Sequence, residues 1–263
     1  MQKSRAANTV VSAASFGLVV LTPIAASADE TDAKQILLNM SDYMTSAQSF
    51  EFDYDASLDV VTTDAQVLGI ASSGTILVNR PDKIHARRIG GFADLEMFYD
   101  GNAFTLVGNH AGLYTQLPVT GTIDGLIDEL RGSHGMPLPA ADLLIENPYE
   151  VLMSDVTDVK DMGVGVISGR MCDHLAFRTP DVDWQIWISQ GETPYPCRFV
   201  ITTHSIDQGP QYRVDIRDWR EVEDISAEKF TFQNEGAAEM IALEDYQTKV
   251  GDLPGHYQMG DSE

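Results

Sequence analysis

The chain has 263 residues, with 40 acidic side chains against 17 basic ones, a formal charge of −23 and 43% hydrophobic residues. That is enough apolar material for the core of one generous domain or two small ones. The negative net field repels phosphate backbones and anionic head groups, which argues against nucleic acid as a partner.

Residues 1–28 read as a signal peptide. Lys3 and Arg5 open it, Val10 to Ala26 is apolar and small, and Ala26-Ser27-Ala28 makes an A-x-A cleavage site before Asp29. The apolar run is short and broken by Ser12, Ser15, Thr22 and Pro23, which disfavours a membrane anchor. Asp29 stands where a lipidated cysteine would, so no lipoprotein anchor is expected. Nothing later approaches a membrane span. The exported part would carry 15 basic and 40 acidic residues, a formal charge of −25.

Thr31 to Ala47 predicts a helix, since Ala33, Ile36, Leu37, Met40, Met44 and Ala47 recur at helical spacing. Ser49 to Val61 switches to period two, with Phe50, Phe52, Tyr54, Ala56, Leu58 and Val60 against Glu51, Asp53, Asp55, Ser57 and Asp59. Further strands are expected at Ile70–Asn79, Lys83–Ile89, Leu95–Tyr99, Ala103–Val107 and Gly112–Leu117. They are separated by Arg80-Pro81-Asp82 and by an Asp100-Gly101 hairpin turn. Thr122 can cap a helix carrying Ile123, Leu126, Ile127 and Leu130. Ala140–Ile145 and Pro148–Met153 predict two shorter helices that need a surface to lie on. Strands resume at Val156–Met162, Gly165–Ser168, Met171–Arg178, Asp183–Ser189, Cys197–Ser205, Gln211–Arg220 and Phe230–Gln233. Trp184 and Trp187 fall on opposite faces of their strand. Ala237 to Tyr246 reads as a loose helix and Gly251 to Glu263 as a polar tail. The expected fold is mainly antiparallel β, one curved sheet over residues 29–236 with helices on its concave side, followed by a helix and tail at 237–263.

Cys172 and Cys197 lie in the exported part, where an oxidising compartment predicts a disulfide. Strand arithmetic opposes it. In a three-stranded meander the two cysteines sit on strands separated by a third, roughly 10 Å apart and beyond bridging distance. A bulge or strong curl would restore the reach, and both outcomes stand open.

Catalytic signals are sparse. The chain has no G-x-S-x-G elbow, and Ser133-His134 lies in a flexible link without an adjacent acid. The six histidines form no metal-ligand pair. Asp181 and Asp183 at the hairpin rim, and the Asp53, Asp55, Asp59 row, read as solvated faces and not as Ca²⁺ ligands. No cofactor and no metal are expected. What remains is apolar surface: Phe52, Tyr54, Leu58, Ile76, Val78, Phe98, Phe104, Leu106, Trp184 and Ile186 are candidates either for a core or for the lining of an apolar cavity.

Gly74 to Asp82, GTILVNRPD, and Tyr99-Asp100-Gly101-Asn102 with Phe104 and Leu106 resemble the LolA-like fold of periplasmic lipoprotein carriers. Asp181 to Ile188, DVDWQIWI, is similar to an uncharacterised group of predicted periplasmic proteins related to that fold, and this likeness covers most of the mature chain. The resemblance implies an open half-barrel in the periplasm whose apolar concave face, lidded by helices, binds acyl chains without catalysis. It also implies that Arg80 holds the lid by hydrogen bonding to its backbone. Leu77 departs from the carriers' pattern, which has an aromatic there. The expected function is a non-enzymatic carrier of a lipid, a lipoprotein acyl chain or another apolar small molecule. The alternatives are a sensor or interaction domain that binds a protein partner, and a hydrolase with a dispersed site, for which His174 with Asp183 is the first pair to inspect.

Overall fold

A computed structural model describes residues 30–250. The expected signal peptide at 1–28 and the expected tail at 251–263 lie outside the described residues.

Helix α1 (Glu30–Ser46) begins with Glu30 and Asp32 against its positive end and buries Ala33, Leu37, Met40, Ser41 and Met44 along one face. Six strands follow: β1 (Ser49–Val61), β2 (Val67–Asn79), β3 (Lys83–Gly90), β4 (Asp94–Tyr99), β5 (Ala103–Gly108) and β6 (Leu113–Pro118). Helix α2 (Ile123–Gly132) is capped by the Thr122 hydroxyl, which accepts from the Gly125 amide. The expected helix at 140–145 is only a 3-10 turn at Ala141–Leu143, and α3 is Pro148–Leu152. The second set of strands is β7 (Asp158–Ile167), β8 (Arg170–Arg178), β9 (Val182–Ser189), β10 (Pro196–Thr203) and β11 (Gln211–Glu221). A last short strand, β12 (Glu239–Met240), precedes α4 (Leu243–Lys249).

All the strands join one sheet of twelve, in the order β12-β6-β5-β4-β3-β2-β1-β11-β10-β9-β8-β7, and it is not closed into a barrel. The two meanders are sewn together at the long strand β1, which pairs with β2 on one side and with β11 on the other. Laid flat, β5 and β8 would stand about 40 Å apart, eight strand spacings. Yet Phe104 of β5 and Leu175 of β8 belong to one buried cluster with α1, α2 and α3. The sheet must therefore curl around that cluster, as an open half-barrel does, with the helices inside.

Three further expectations change. The strands expected at 156–162 and 165–168 are one strand, β7, whose register against β8 breaks between Asp161 and Val164. Phe230–Gln233 is not a strand: Phe230 ends a 3-10 turn (Ala227–Phe230). Its alternation of aromatics serves packing on the sheet's outer face, where Phe232 meets Phe98 and Tyr114. Residues 237–246 divide into β12, parallel to β6, and the start of α4. Leu243 and Tyr246 are buried, so packed chain continues past Gly236.

Candidate functional site

Cross-strand register sorts the inward face into rows that run across the sheet. The row nearest the helices is Phe50–Val78–Ile84–Tyr99–Phe104–Leu117. The next is Phe52–Ile76–Ala86–Met97–Leu106, and the third is Ile216–Tyr54–Gly74–Arg88–Leu95. Beyond these come Ala56 with Ser72, and Leu58 with Ile70 and Tyr212. Burial is nearly complete in the first row and uneven beyond it, where Tyr54, Ile216, Ala56 and Val60 are still buried. Val78 and Phe104 are buried under the helices, Ile76 and Leu106 are partly covered, and Leu58 is 40% exposed. The inward face is thus a packed core at its helical end and partly exposed beyond it, at Ile76, Leu106 and Leu58.

The helical layer is tied to itself and to the sheet. Thr45 Oγ1 donates to the Glu146 carbonyl at 2.7 Å, and the Tyr149 amide donates to Ser41 Oγ at 3.1 Å. The Glu146 amide donates to the Asp124 carboxylate at 3.1 Å, and Tyr99 Oη donates to the Gly121 carbonyl at 2.9 Å. Arg131 grips Asp142 with both terminal nitrogens, at 2.6 and 3.1 Å. Arg80 lies beneath this layer. Its Nη2 donates to the Met44 carbonyl in the last turn of α1 at 3.4 Å, a long bond, and its guanidinium lies 5.6 Å over the Phe50 ring. Burial pushes the Arg80 guanidinium down from its ordinary value, with Asp124 and Glu146 opposing.

Polar chemistry enters the uncovered part in the third row. Arg88 is the one charged side chain in the rows named above. Tyr54 lies across Gly74, its Oη 3.4 Å from the Arg87 carbonyl. A side chain at position 74 would collide with it, because a Cβ there would come within 2.6 Å of the Tyr54 ring and 2.0 Å of the Arg87 carbonyl. Burial raises the phenol of Tyr54 and pushes that of Tyr212 up to about 12, while the Arg88 charge pulls both the other way. Both phenols therefore stay protonated at neutral pH, and that of Tyr54 donates to the Arg87 carbonyl. A cation and two hydroxyls set in apolar surface can receive an anionic group; they supply neither a nucleophile nor a base.

Of the ten apolar residues singled out by sequence, Phe52, Tyr54, Val78, Phe104, Trp184 and Ile186 are buried, Ile76 and Leu106 are half-buried, and Leu58 is exposed. Phe98 is corrected. Tyr99 and Met97 take the inward positions of β4, so Phe98 points to the outer face, stacking on His85 at 4.6 Å and meeting Phe232 at 5.7 Å. There it lines a cavity of about 450 Å³ between β3–β5 and the segment 228–238, together with His85, Glu96, Lys229, Phe232 and Asn234. Sequence reading misses this space, because the alternation at 230–233 predicts a strand where the chain instead forms a roof.

The rest of the outer face is an ion-pair lattice. Glu51 meets Arg220 at 3.0 Å, Asp55 meets Arg217 at 2.8 Å, and Asp215 is shared by Arg213 and Arg198. Asp183 is bound by Arg178 at 2.7 Å and by His204 at 3.0 Å, which hold its carboxyl down at about 2. His174 instead hydrogen-bonds Gln185 at 3.0 Å and stacks on Trp187 at 4.0 Å. His174 and Asp183 are therefore not paired with each other. Trp184 is buried against Phe177 at 3.8 Å, on the face opposite Trp187. Among the described residues no group of three or more His, Cys, Asp or Glu side chains could hold a metal ion, and no helix is long and apolar enough to cross a membrane.

Residues 33–244 match the family DUF2092, described as "Predicted periplasmic protein". No curated protein matches the chain. Among solved structures, the chain is similar to an uncharacterized conserved protein from Thermus thermophilus, at 10% identity over 80% of this chain and 99% of that one, with a TM-score of 0.45. It is also similar to the lipoprotein LppX of Mycobacterium tuberculosis, at 11% identity over 75% and 100%, TM-score 0.39. A third is a putative outer membrane lipoprotein-sorting protein domain from Vibrio parahaemolyticus, at 8% identity over 77% and 97%, TM-score 0.34.

Proposed function

The chain belongs to the DUF2092 family of predicted periplasmic proteins, and from that premise we propose that it is a non-catalytic binding protein for an apolar or amphipathic molecule, such as a lipid or the acyl chain of a lipoprotein. The observation that carries the reading is the apolar inward face that is buried at Val78, half-buried at Ile76 and Leu106, and exposed at Leu58, 40% of which is accessible. The acyl portion would lie over Ile76, Met97, Leu106 and Leu58. A polar head would meet Arg88, Tyr54 and Tyr212. The helical layer and Arg80 form the closed end of the groove. Native mass spectrometry of gently purified protein, followed by organic extraction, tests this: a co-purifying acyl species is expected. Protein that yields no extractable acyl species, and that after delipidation fails to bind a fluorescent fatty acid, would sink it.

A second reading has its own observation. β7 is an edge strand, and Met162, Val164 and Val166 on it, with Met171 beside them on β8, are exposed. That edge favours a protein partner that adds a strand, as in an interaction domain.

A further inference from the structure

We propose that Cys172 and Cys197 form a disulfide that staples β8 to β10 across β9. The two sulfurs are 2.8 Å apart and both cysteines are buried; they are not bonded in the structure. Regular strand geometry forbids this approach, since two strand spacings separate them. A local irregularity permits it. Cys172 pairs with Ser189 at the end of β9, while the register between β9 and β10 breaks between Pro196 and Arg198. Cys197 is the extra residue of that bulge and has no ladder partner. The Ser189 amide donates to the Tyr195 carbonyl instead, at 2.9 Å. Freed from the ladder, Cys197 meets Cys172 over the end of β9.

The chemistry closes with one partner. Two S–H bonds break and one S–S bond forms. Two protons and two electrons pass to the disulfide of a periplasmic thiol-oxidising protein, which leaves as a dithiol. Burial raises both thiols above their ordinary range, so the folded pair supplies little thiolate. The bond therefore forms while the chain is still folding. Once sealed, it is shielded from reductants by the same burial. The staple also adjoins the aromatic stack that connects the wall to α1. Tyr195 stacks on Trp219 at 5.5 Å, Trp219 stacks on Phe50 at 4.6 Å, and the Trp219 indole N–H donates to Tyr43 Oη at 3.0 Å.

The test is the intact mass of full-length protein secreted to the periplasm, denatured with an alkylating agent present. No alkylation is expected without reductant, and two alkyl groups after reduction in denaturant. In native buffer the same reductant should leave the bond intact for far longer. The Cys172→Ser and Cys197→Ser variants should each melt roughly 6–12 °C lower, the loss expected for a loop of this length in a chain of this size. The double variant should melt no lower than either single one. Two alkylatable thiols in protein exported by an oxidant-competent cell would overturn the proposal, whether or not the serine variants fold.

Discussion

Gly74 sits where the inward face leaves the core, and replacing it tests the geometry of the whole third row. In Gly74→Ala the new Cβ would stand 2.0 Å from the Arg87 carbonyl and 2.6 Å from Cζ and Oη of Tyr54. A tyrosine ring can swing aside; the carbonyl belongs to β3 and can yield only if β2 and β3 part. Overpacking costs about 1–3 kcal/mol, and a backbone obstacle puts this site at the upper end. Alanine recovers about 0.5–1 kcal/mol by restricting the unfolded chain. The net loss of about 2 kcal/mol lowers the melting temperature by roughly 4–8 °C in a chain of this size. Thermal unfolding followed by circular dichroism reads it directly. Gly91→Ala is the control, with nothing within 4 Å of its Cβ, and it should melt at or slightly above the parent. Tyr54→Ala separates the two obstacles. In that background Gly74→Ala should still destabilise, by less, because the carbonyl remains. If Gly74→Ala melts with the parent, or becomes neutral once Tyr54 is gone, the close approach of β2 and β3 is not what demands glycine.

The other expectations address the lid, the groove and the outer lattice. Arg88→Gln should weaken a fluorescent fatty acid about tenfold and a neutral acylglycerol little, by titration; equal loss for both would remove the head-group role. Arg80→Met should speed amide exchange at Ala47 and the last turn of α1, because the bond to the Met44 carbonyl and the contact over Phe50 are lost. Leu126→Ala, at a buried position of α2, should cost about 2–5 kcal/mol by urea unfolding if α2 belongs to the core. Asp183 is held at about 2 against an ordinary 3.8, first by Arg178 and then by His204. A depressed carboxyl stabilises above its unfolded value and loses that contribution as pH falls through its folded one. Asp183→Asn should therefore lower the urea midpoint slightly at pH 7 and converge with the parent as pH falls from about 4 toward 2. A gap that does not narrow there would show that the pairing is not electrostatic.

Where period and partner both lie within a few residues, the sequence is explicit. Ser49–Val61 is read to the residue because strict alternation over thirteen positions admits no other element. Thr122 announces α2 because a cap is a local contact. What stays hidden is set by distance along the chain or by a single-residue phase. Nothing local says that β11 returns to β1, since Tyr54 and Ile216 meet only through the assembled sheet. Phe98 looks as apolar as its neighbours, yet it lies out of phase with Met97 and Tyr99, and only the segment around Phe232, more than a hundred residues on, gives it cover. Arg87 and Arg88 are neighbours in the sequence with the same charge. Period two divides them: Arg87 turns outward to Asp94, with its Nη2 at 2.9 Å, and Arg88 turns inward beside Gly74. The cysteines stay open in the sequence for a related reason, because strand spacing alone cannot say whether a bulge falls at Cys197.

The two edges of the sheet are treated differently, and that asymmetry bears on where partners can approach. At one edge β12 pairs with β6, and α4 brings Tyr246 and Val250 against Gly108, whose missing side chain leaves room for them. That edge strand is only two residues long, Glu239–Met240, and offers little backbone for a further strand. At the other edge β7 has β8 on one side and, among the described residues, no strand on the other. It carries the usual deterrents to indiscriminate pairing: the charges of Asp158, Lys160 and Asp161, and a register break with Gly163 at φ +79°. They occupy its first half. Its second half, Val164 to Ile167, is regular, paired in register with Arg170–Asp173, and exposes Val164 and Val166. A donor strand would therefore dock on that half alone, directly outside the β8–β10 wall that the cysteine pair would pin. The proposed groove, by contrast, would open toward Leu58 on β1, five strands away. An apolar ligand and a strand-adding partner would not compete for surface, so one chain has room for both.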